Sequence, residues 1–347
     1  MKHLKGLDTL RALAALIVVW SHIELIKEQH NVSRTDFMLF PDAHFSVTLF
    51  FVLSGFLITY LLIQEIDKHK TIFLKKFYIR RILRIWPLYY LIIFLSFFLF
   101  SADIPRRTII LCLTIFPNVP PALNSSWPNS PQIWSLGVEE QFYLFWPFAV
   151  LFFLRKGFIK YCSLFIIFFT FFPHLFNYIN EHTFHHEKLY SFVQKFFHQT
   201  KFNCMAYGGL LGFLLAKKNP FIRIFQNKII SIISIVIPIS AWFINVRFGI
   251  FSDEIYALMF GFTILSVVLN PFFDVDNSLT KFLGKISYGI YMYHWMIILL
   301  IIKFTYPLMN HDMYNIFVYI LSFGLTILIS WISYISYERF FLNMKKN

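Results

Sequence analysis

The chain has 347 residues, of which 58% are hydrophobic, 21% aromatic and only 14% charged. This composition excludes an ordinary soluble domain and is typical of a protein that crosses a membrane several times. The net charge of +13 does not require a nucleic-acid partner, because basic loops facing anionic membrane lipid account for it.

Ten apolar runs predict an all-α integral membrane protein with about ten transmembrane helices, forming a single domain over residues 1–347. The predicted spans are 8–27, 45–65, 82–101, 141–154, 160–178, 202–217, 228–246, 255–271, 286–304 and 314–338, and the short fourth span could extend back through Gly137. If the N-terminus is cytoplasmic, 22 of the 31 lysines and arginines lie on the cytoplasmic side. The asymmetry predicts that both termini are cytoplasmic.

The first predicted span contains a histidine at a depth where lipid is expected. His22 follows Arg11 by eleven residues, which on an α-helix places both side chains on one face, about 16 Å apart along the axis. Asp8 lies on that face as well. An ionisable side chain inside a spanning helix costs free energy and commonly has a function. His22 is therefore the candidate catalytic base.

Three arginines lie where the third span leaves the cytoplasm. Arg80, Arg81 and Arg84 lie close together on a helix, and the predicted topology puts Arg11 at the same membrane face. Guanidinium groups present paired donors that suit phosphate oxygens. Two interpretations stay open: a site for an anionic ligand, or a topology signal that keeps these residues in the cytoplasm.

The fourth span is preceded by two carboxylates, Glu139 and Glu140, which enter the membrane from the outer side. We expect one of them to face water and the other to find a partner inside the bundle. A carboxylate that accepts a proton from one imidazole nitrogen makes the other nitrogen a better base. We assign this role to Glu139, paired with His22, and expect Glu140 to face water.

Other residues allow competing interpretations. Trp127 and Trp134, in the long segment 101–141, could stack on sugar rings or form an interfacial aromatic belt. His294, in the ninth span, is assigned to helix packing. A small-residue step at Ser54-Gly55 predicts a close helix approach. Four outer-loop residues are assigned to a solvated loop: His182, His185, His186 and Glu187. Neither this group nor the three cysteines predict a metal site.

Five motifs, taken together and in order, resemble the acyltransferase-3 family of integral membrane acyltransferases. The motifs are Gly6-Leu7-Asp8 with Arg11 and His22; Phe50-Phe51-Val52-Leu53-Ser54-Gly55-Phe56; Arg80-Arg81 with Arg84 and Pro87; Trp134-Ser135-Leu136 with Val138-Glu139 and Gln141-Phe142-Tyr143; and Ser287-Tyr288 with Tyr291 and His294. Each motif is weak alone, but five in order are specific.

The resemblance implies a membrane O-acyltransferase that takes an acyl group, usually acetyl, from cytoplasmic acyl-CoA. The expected acceptor is a hydroxyl of an extracytoplasmic glycan or lipid-linked glycan, such as O-antigen, capsule or peptidoglycan, and the expected location is a bacterial inner membrane. Acetyl-CoA is a substrate, and no permanently bound cofactor is expected. The chain is similar to members without a fused esterase-like domain.

The site residues follow from these readings. His22 is expected to be the general base or acyl relay, supported by Glu139, and the donor phosphates are expected to bind the four arginines, Arg11, Arg80, Arg81 and Arg84. Two alternatives remain: a transporter or flippase of a lipid-linked sugar or acyl donor, and an acyltransferase acting on a small secondary metabolite. The oligomeric state is left open.

Overall fold

The computed structural model describes residues 4–100, 103–270, 275–305 and 311–344, without the side chains of 311–313. These residues form a helical bundle and contain no β-strand. The helices are α1 Leu7–Gln29, α2 Ala43–His69, α3 Leu74–Phe100, α4 Arg106–Leu113, α5 Val119–Ala122, α6 Trp134–Leu154, α7 Phe158–Ile179, α8 Glu187–Gln199, α9 Phe202–Ala216, α10 Lys228–Phe243, α11 Ser252–Leu269, α12 Ser278–Thr305, α13 His311–Ser333 and α14 Arg339–Asn343.

The described part of the chain has seven helices that are long and apolar enough to cross a membrane. The bent pair Pro220–Gln226 and Lys228–Phe243, which turns by 82°, makes eight if it is one span. The helix α6 overlaps the predicted span 141–154 and α9 falls within the span 202–217, but α9 has only 15 residues. The multi-pass architecture is therefore supported, while the count of ten and the cytoplasmic position of both termini stay predictions.

The helix α6 begins earlier than its predicted span. It starts at Trp134 rather than at residue 141, because the polar side chains of its first turns find partners within the protein. Ser135 Oγ lies 2.7 Å from the Tyr291 hydroxyl, and Gln141 Nε2 donates to the Ile115 carbonyl at 2.7 Å. The motif around Glu139 consequently lies inside the bundle rather than at its edge.

Two pairs of helices pack closely, and glycines make the contact. A Cβ atom built on Gly55 would lie 1.8 Å from the Met205 carbonyl oxygen, which confirms the predicted close approach at this position, here between α2 and α9. Similarly, a Cβ on Gly284 of α12 would lie 2.3 Å from the Asp8 carbonyl oxygen of α1. The α1–α12 contact matters for the site, because it places His22 beside His294.

The start of α1 is held by a carboxylate distant in sequence. The backbone N–H of Gly6 donates to Asp276 Oδ2 at 2.7 Å, and the Thr9 hydroxyl donates to Asp276 Oδ1 at 2.8 Å. Gly6 has a φ of 82°, in the left-handed region that glycine adopts without strain. These contacts fix the position of α1 and therefore of Arg11, one turn further along.

Candidate active site

Three of the four predicted donor-binding arginines line one cavity. The cavity encloses about 820 Å³ of space including its open mouth, and Arg11, Arg81 and Arg84 contribute to its wall. We call it the arginine cavity. Five residues that carry hydroxyl groups line it as well: Ser54, Ser287, Tyr143, Tyr288 and Tyr291. A cavity with three guanidiniums and several hydroxyls suits an anionic ligand such as a phosphate.

Each arginine is placed differently in this cavity. Arg11 forms an ion pair with Asp8 at 3.5 Å. Arg81 lies over the rings of Phe77 and Tyr143, each 5.7 Å from the ring centroid, and its buried Nε finds no hydrogen-bond acceptor among the described residues. Arg84 is exposed and completes the wall. Because the three charges face one space, an incoming anion would relieve their mutual repulsion.

Arg80 does not line the cavity. The residues of α3 that do so are Arg81, Arg84 and Ile85, which have the i, i+3, i+4 spacing of one helix face. Arg80 lies at the edge of this face, about 40° around the helix from Arg84, and is not part of the cavity wall. The structure therefore assembles three of the four arginines that the sequence grouped.

Glu139 lies in the arginine cavity and not beside His22. Its Oε1 accepts a hydrogen bond from the Ser54 hydroxyl at 2.7 Å, and its Oε2 accepts one from the Tyr143 hydroxyl at 3.3 Å. The predicted hydrogen bond between His22 and Glu139 is absent from the described structure. The reason is the packing of α6, which turns Glu139 towards Ser54 of α2.

The expectation that Glu140 faces water is also wrong. Its Oε2 accepts a hydrogen bond from the indole Nε1 of Trp86 at 2.8 Å. Its Oε1 is buried and has no hydrogen-bond partner within the described ranges. Glu140 points to the α3 side of α6, while Glu139 points to the cavity.

The partner of His22 is His294. His22 Nδ1 and His294 Nε2 are 2.7 Å apart, and the two ring planes are nearly parallel, 12° apart, with centroids separated by 5.0 Å. Trp295 packs edge-on against His22, with centroids 4.9 Å apart. His294 is fully buried, whereas His22 is partly exposed. The sequence analysis assigned His294 to packing, and the structure adds a hydrogen bond to the candidate base.

The hydrogen bonds determine the tautomers of the two neutral rings. His294 Nδ1 lies 2.7 Å from the Tyr291 carbonyl oxygen, which can only accept, so Nδ1 carries the proton. His294 Nε2 is then unprotonated and accepts from His22 Nδ1–H. The remaining nitrogen of His22, Nε2, keeps a free lone pair. His294 thus occupies the place beside His22 that the sequence analysis gave to Glu139, and its hydrogen bond orients the His22 ring.

A second cavity contains His22. It encloses about 1180 Å³ including its open mouth, and it is lined by His22, Ser21, Glu28, Arg34, Asp42, His44 and Trp134, among others. We call it the histidine cavity. Its wall combines charged and polar side chains with aromatic and aliphatic ones, a combination that suits a ligand with both hydroxyl groups and apolar faces. The two cavities lie at opposite ends of α1, one at Arg11 and the other at His22.

The comparison with known proteins identifies the family. Residues 4–335 match the sequence profile of the acyltransferase-3 family, which is described as "Acyltransferase domain". The chain belongs to the acyltransferase-3 family. The match covers both cavities of this acyltransferase-3 chain and confirms the resemblance carried by the five motifs.

The chain is similar in sequence to several known proteins, over almost all of its length or over part of it. The Staphylococcus aureus (strain COL) protein named "Putative O-acetyltransferase SACOL0978" is 26% identical over 366 residues, covering 96% of this chain and 56% of the relative. Peptidoglycan O-acetyltransferase OatA of Listeria monocytogenes serovar 1/2a (strain ATCC BAA-679 / EGD-e) is 32% identical over 169 residues, covering 44% of this chain and 25% of the relative. The chain spans about half the length of the S. aureus relative. No solved structure matches the chain.

Sequence reasoning about this acyltransferase-3 chain missed a charged cluster beside the histidine cavity. Asp253 Oδ1 lies 2.7 Å from His44 Nε2 and accepts from Lys201 Nζ at 2.8 Å. Lys201 is buried and also donates to Thr48 at 3.1 Å. The charged members, Asp253, His44 and Lys201, lie at the start of a helix or next to it, so charges at the edges of predicted spans were the available signal.

The remaining candidates in this acyltransferase-3 chain have local partners. The Trp127 side chain is buried and donates to Ser96 at 2.8 Å, so it is not available for stacking on a sugar, whereas Trp134 lines the histidine cavity. In the outer loop, His182 Nδ1 lies 2.8 Å from the Tyr178 carbonyl, and His186 accepts from the backbone of Leu189. Among the described residues, no group of three histidine, cysteine or carboxylate side chains is placed to hold a metal.

Proposed function

We propose that this protein transfers an acetyl group from acetyl-CoA to a hydroxyl of an extracytoplasmic glycan, in a bacterial inner membrane. The observation that carries the proposal is the pair of cavities along α1. One is lined by three arginines, and the other contains a histidine with a free basic nitrogen. This arrangement separates a site for an anionic donor from a site for a neutral polar acceptor.

The arginine cavity is the proposed donor site. Acyl-CoA carries its phosphates at one end and its thioester at the other, and a long pantetheine arm joins them. Arg11, Arg81 and Arg84 would bind the phosphates from the cytoplasmic side. Since Arg11 and His22 are separated by about 16 Å along α1, the arm could carry the thioester towards the histidine.

His22 is the proposed general base. Its Nε2 would take the proton of an acceptor hydroxyl while the hydroxyl oxygen attacks the thioester carbonyl carbon. A C–O bond forms and the C–S bond breaks, so that the CoA sulfur leaves as a thiolate and is protonated by the imidazolium. His294 Nε2 would accept from His22 Nδ1–H throughout, which holds the ring in orientation and stabilises its charged form.

The histidine cavity is the proposed acceptor site. Its carboxylates, histidine and amide groups could hydrogen-bond a sugar, and the Trp134 ring could pack against one. The name of the Listeria relative refers to peptidoglycan, so a peptidoglycan-type glycan is the acceptor that we favour over O-antigen or capsule.

The test is acetyl transfer by purified protein in liposomes, with acetyl-CoA and soluble peptidoglycan fragments. His22→Ala should lower turnover by about 10²- to 10⁴-fold, the usual contribution of general acid–base catalysis. His69→Ala is the matched control, because His69 ends α2 and lines neither cavity. Normal turnover in the folded His22 variant would refute the proposal. Movement of a lipid-linked sugar without release of free CoA would instead indicate a transporter.

A further inference from the structure

The two cavities share part of their walls. Val47 of α2 and Tyr291 of α12 are the only described residues that line both the arginine cavity and the histidine cavity. Both side chains are almost completely buried, at 7% exposure each. We call the pair the neck. These two side chains therefore lie between the arginines and His22, at the boundary of the two cavities.

The Tyr291 side of the neck is held rigidly. Its hydroxyl donates to the Gln132 carbonyl at 3.2 Å and lies 2.7 Å from Ser135 Oγ, so the start of α6 fixes the ring. The Phe50 ring packs edge-on against it, with centroids 5.9 Å apart. A ring held by two hydrogen bonds and one aromatic contact cannot move aside without losing them.

The neck is adjacent to the proposed catalytic pair. The Tyr291 carbonyl binds His294 Nδ1, and the Tyr291 and His294 rings are 5.8 Å apart. His294 in turn binds His22. Tyr291 therefore lies next to the proposed base, where the acyl group of a bound donor would be attacked.

We propose that Val47 and Tyr291 set the length of the acyl group, so that the protein transfers acetyl and discriminates against propionyl and longer chains. The inference rests on the proposed function, because it assumes that the donor enters from the arginine cavity. Each added methylene would press against two buried, constrained side chains. Pockets that sense one methylene discriminate by roughly 10- to 200-fold, and we expect propionyl-CoA to be disfavoured by a factor in that range.

The experiment compares kcat/KM for acetyl-, propionyl- and butyryl-CoA in the liposome assay with peptidoglycan fragments. Val47→Ala should reduce the preference for acetyl over propionyl by at least about tenfold, since it removes two methyl groups from the neck. Val52→Ala is the matched control: it is the same substitution at a fully buried position of the same helix that lines neither cavity. It should keep the wild-type preference.

A second variant keeps the test independent of any one mutant's folding. Val47→Ile narrows the neck and should strengthen the preference for acetyl over propionyl. If both Val47 variants transfer acetyl groups with the wild-type donor preference, the neck does not select chain length, and this inference is wrong. If the wild-type protein shows no His22-dependent release of CoA from acetyl-CoA, the proposed function itself fails, and the inference with it.

Discussion

The role of His294 gives the sharpest test of the catalytic geometry. In His294→Phe, an aromatic ring of similar size fills the buried position but cannot accept a hydrogen bond. His22 Nδ1–H then loses its acceptor at 2.7 Å, and the ring is free to turn its other nitrogen away from the histidine cavity. His294→Gln is the conservative counterpart, because its amide oxygen can still accept from His22.

The expected size of the effect follows from the lost hydrogen bond. Leaving a buried donor unsatisfied costs about 1–3 kcal/mol, and each 1.36 kcal/mol changes a rate tenfold. His294→Phe should therefore lower kcat by roughly 5- to 150-fold, which is less than the loss expected for His22→Ala. The KM for acetyl-CoA should change little, because Arg11 lies about 16 Å from His22 along α1. His294→Gln should recover much of the lost rate.

The assay is release of free CoA and acetylation of peptidoglycan fragments in liposomes, with variants matched for folded protein by size-exclusion chromatography. A structural role alone would change the yield of folded protein and leave kcat per folded molecule unaltered. Wild-type kcat in His294→Phe, or equal losses in the Phe and Gln variants, would show that His294 does not orient His22.

Three further predictions test the donor site and the packing. Arg84→Ala should raise the KM for acetyl-CoA by roughly 10- to 150-fold, as expected for losing about 1.5–3 kcal/mol of charged hydrogen bonding. Arg80→Ala should change this KM far less, because Arg80 does not line the cavity. Equal KM values in both variants would contradict the cavity assignment. Glu139→Gln should change the KM for acetyl-CoA and leave the pH profile of kcat unaltered, because Glu139 lines the arginine cavity and does not touch His22. A shifted pH profile would instead support a pairing of Glu139 with His22. Gly55→Ala should destabilise the folded protein by about 1–3 kcal/mol, because its Cβ would lie 1.8 Å from a carbonyl oxygen. Gly324→Ala, with open space around it, should be neutral or stabilising. Equal thermal stability of the two variants would argue against the α2–α9 contact.

The sequence alone was sufficient for the class of protein and for the family. Hydropathy predicts membrane helices because each spanning segment must be apolar along its own length, whatever its neighbours are. Helical periodicity likewise relates Arg11 to His22, since both lie on one helix whose geometry is local. The close approach at Gly55 also follows from a local feature, the absence of a side chain.

Tertiary structure alone decided which side chains from different helices meet. The distance of Glu139 from His22 depends on where α6 begins and how it rotates, and these follow from contacts of Ser135 and Gln141 with other parts of the chain. Likewise, the contact between His22 and His294 arises from the packing of α1 against α12, 272 residues apart in sequence. Sequence spacing specifies the face of one helix but carries no information about the rotation of its neighbour, so the partner of His22 could be found only in the folded bundle.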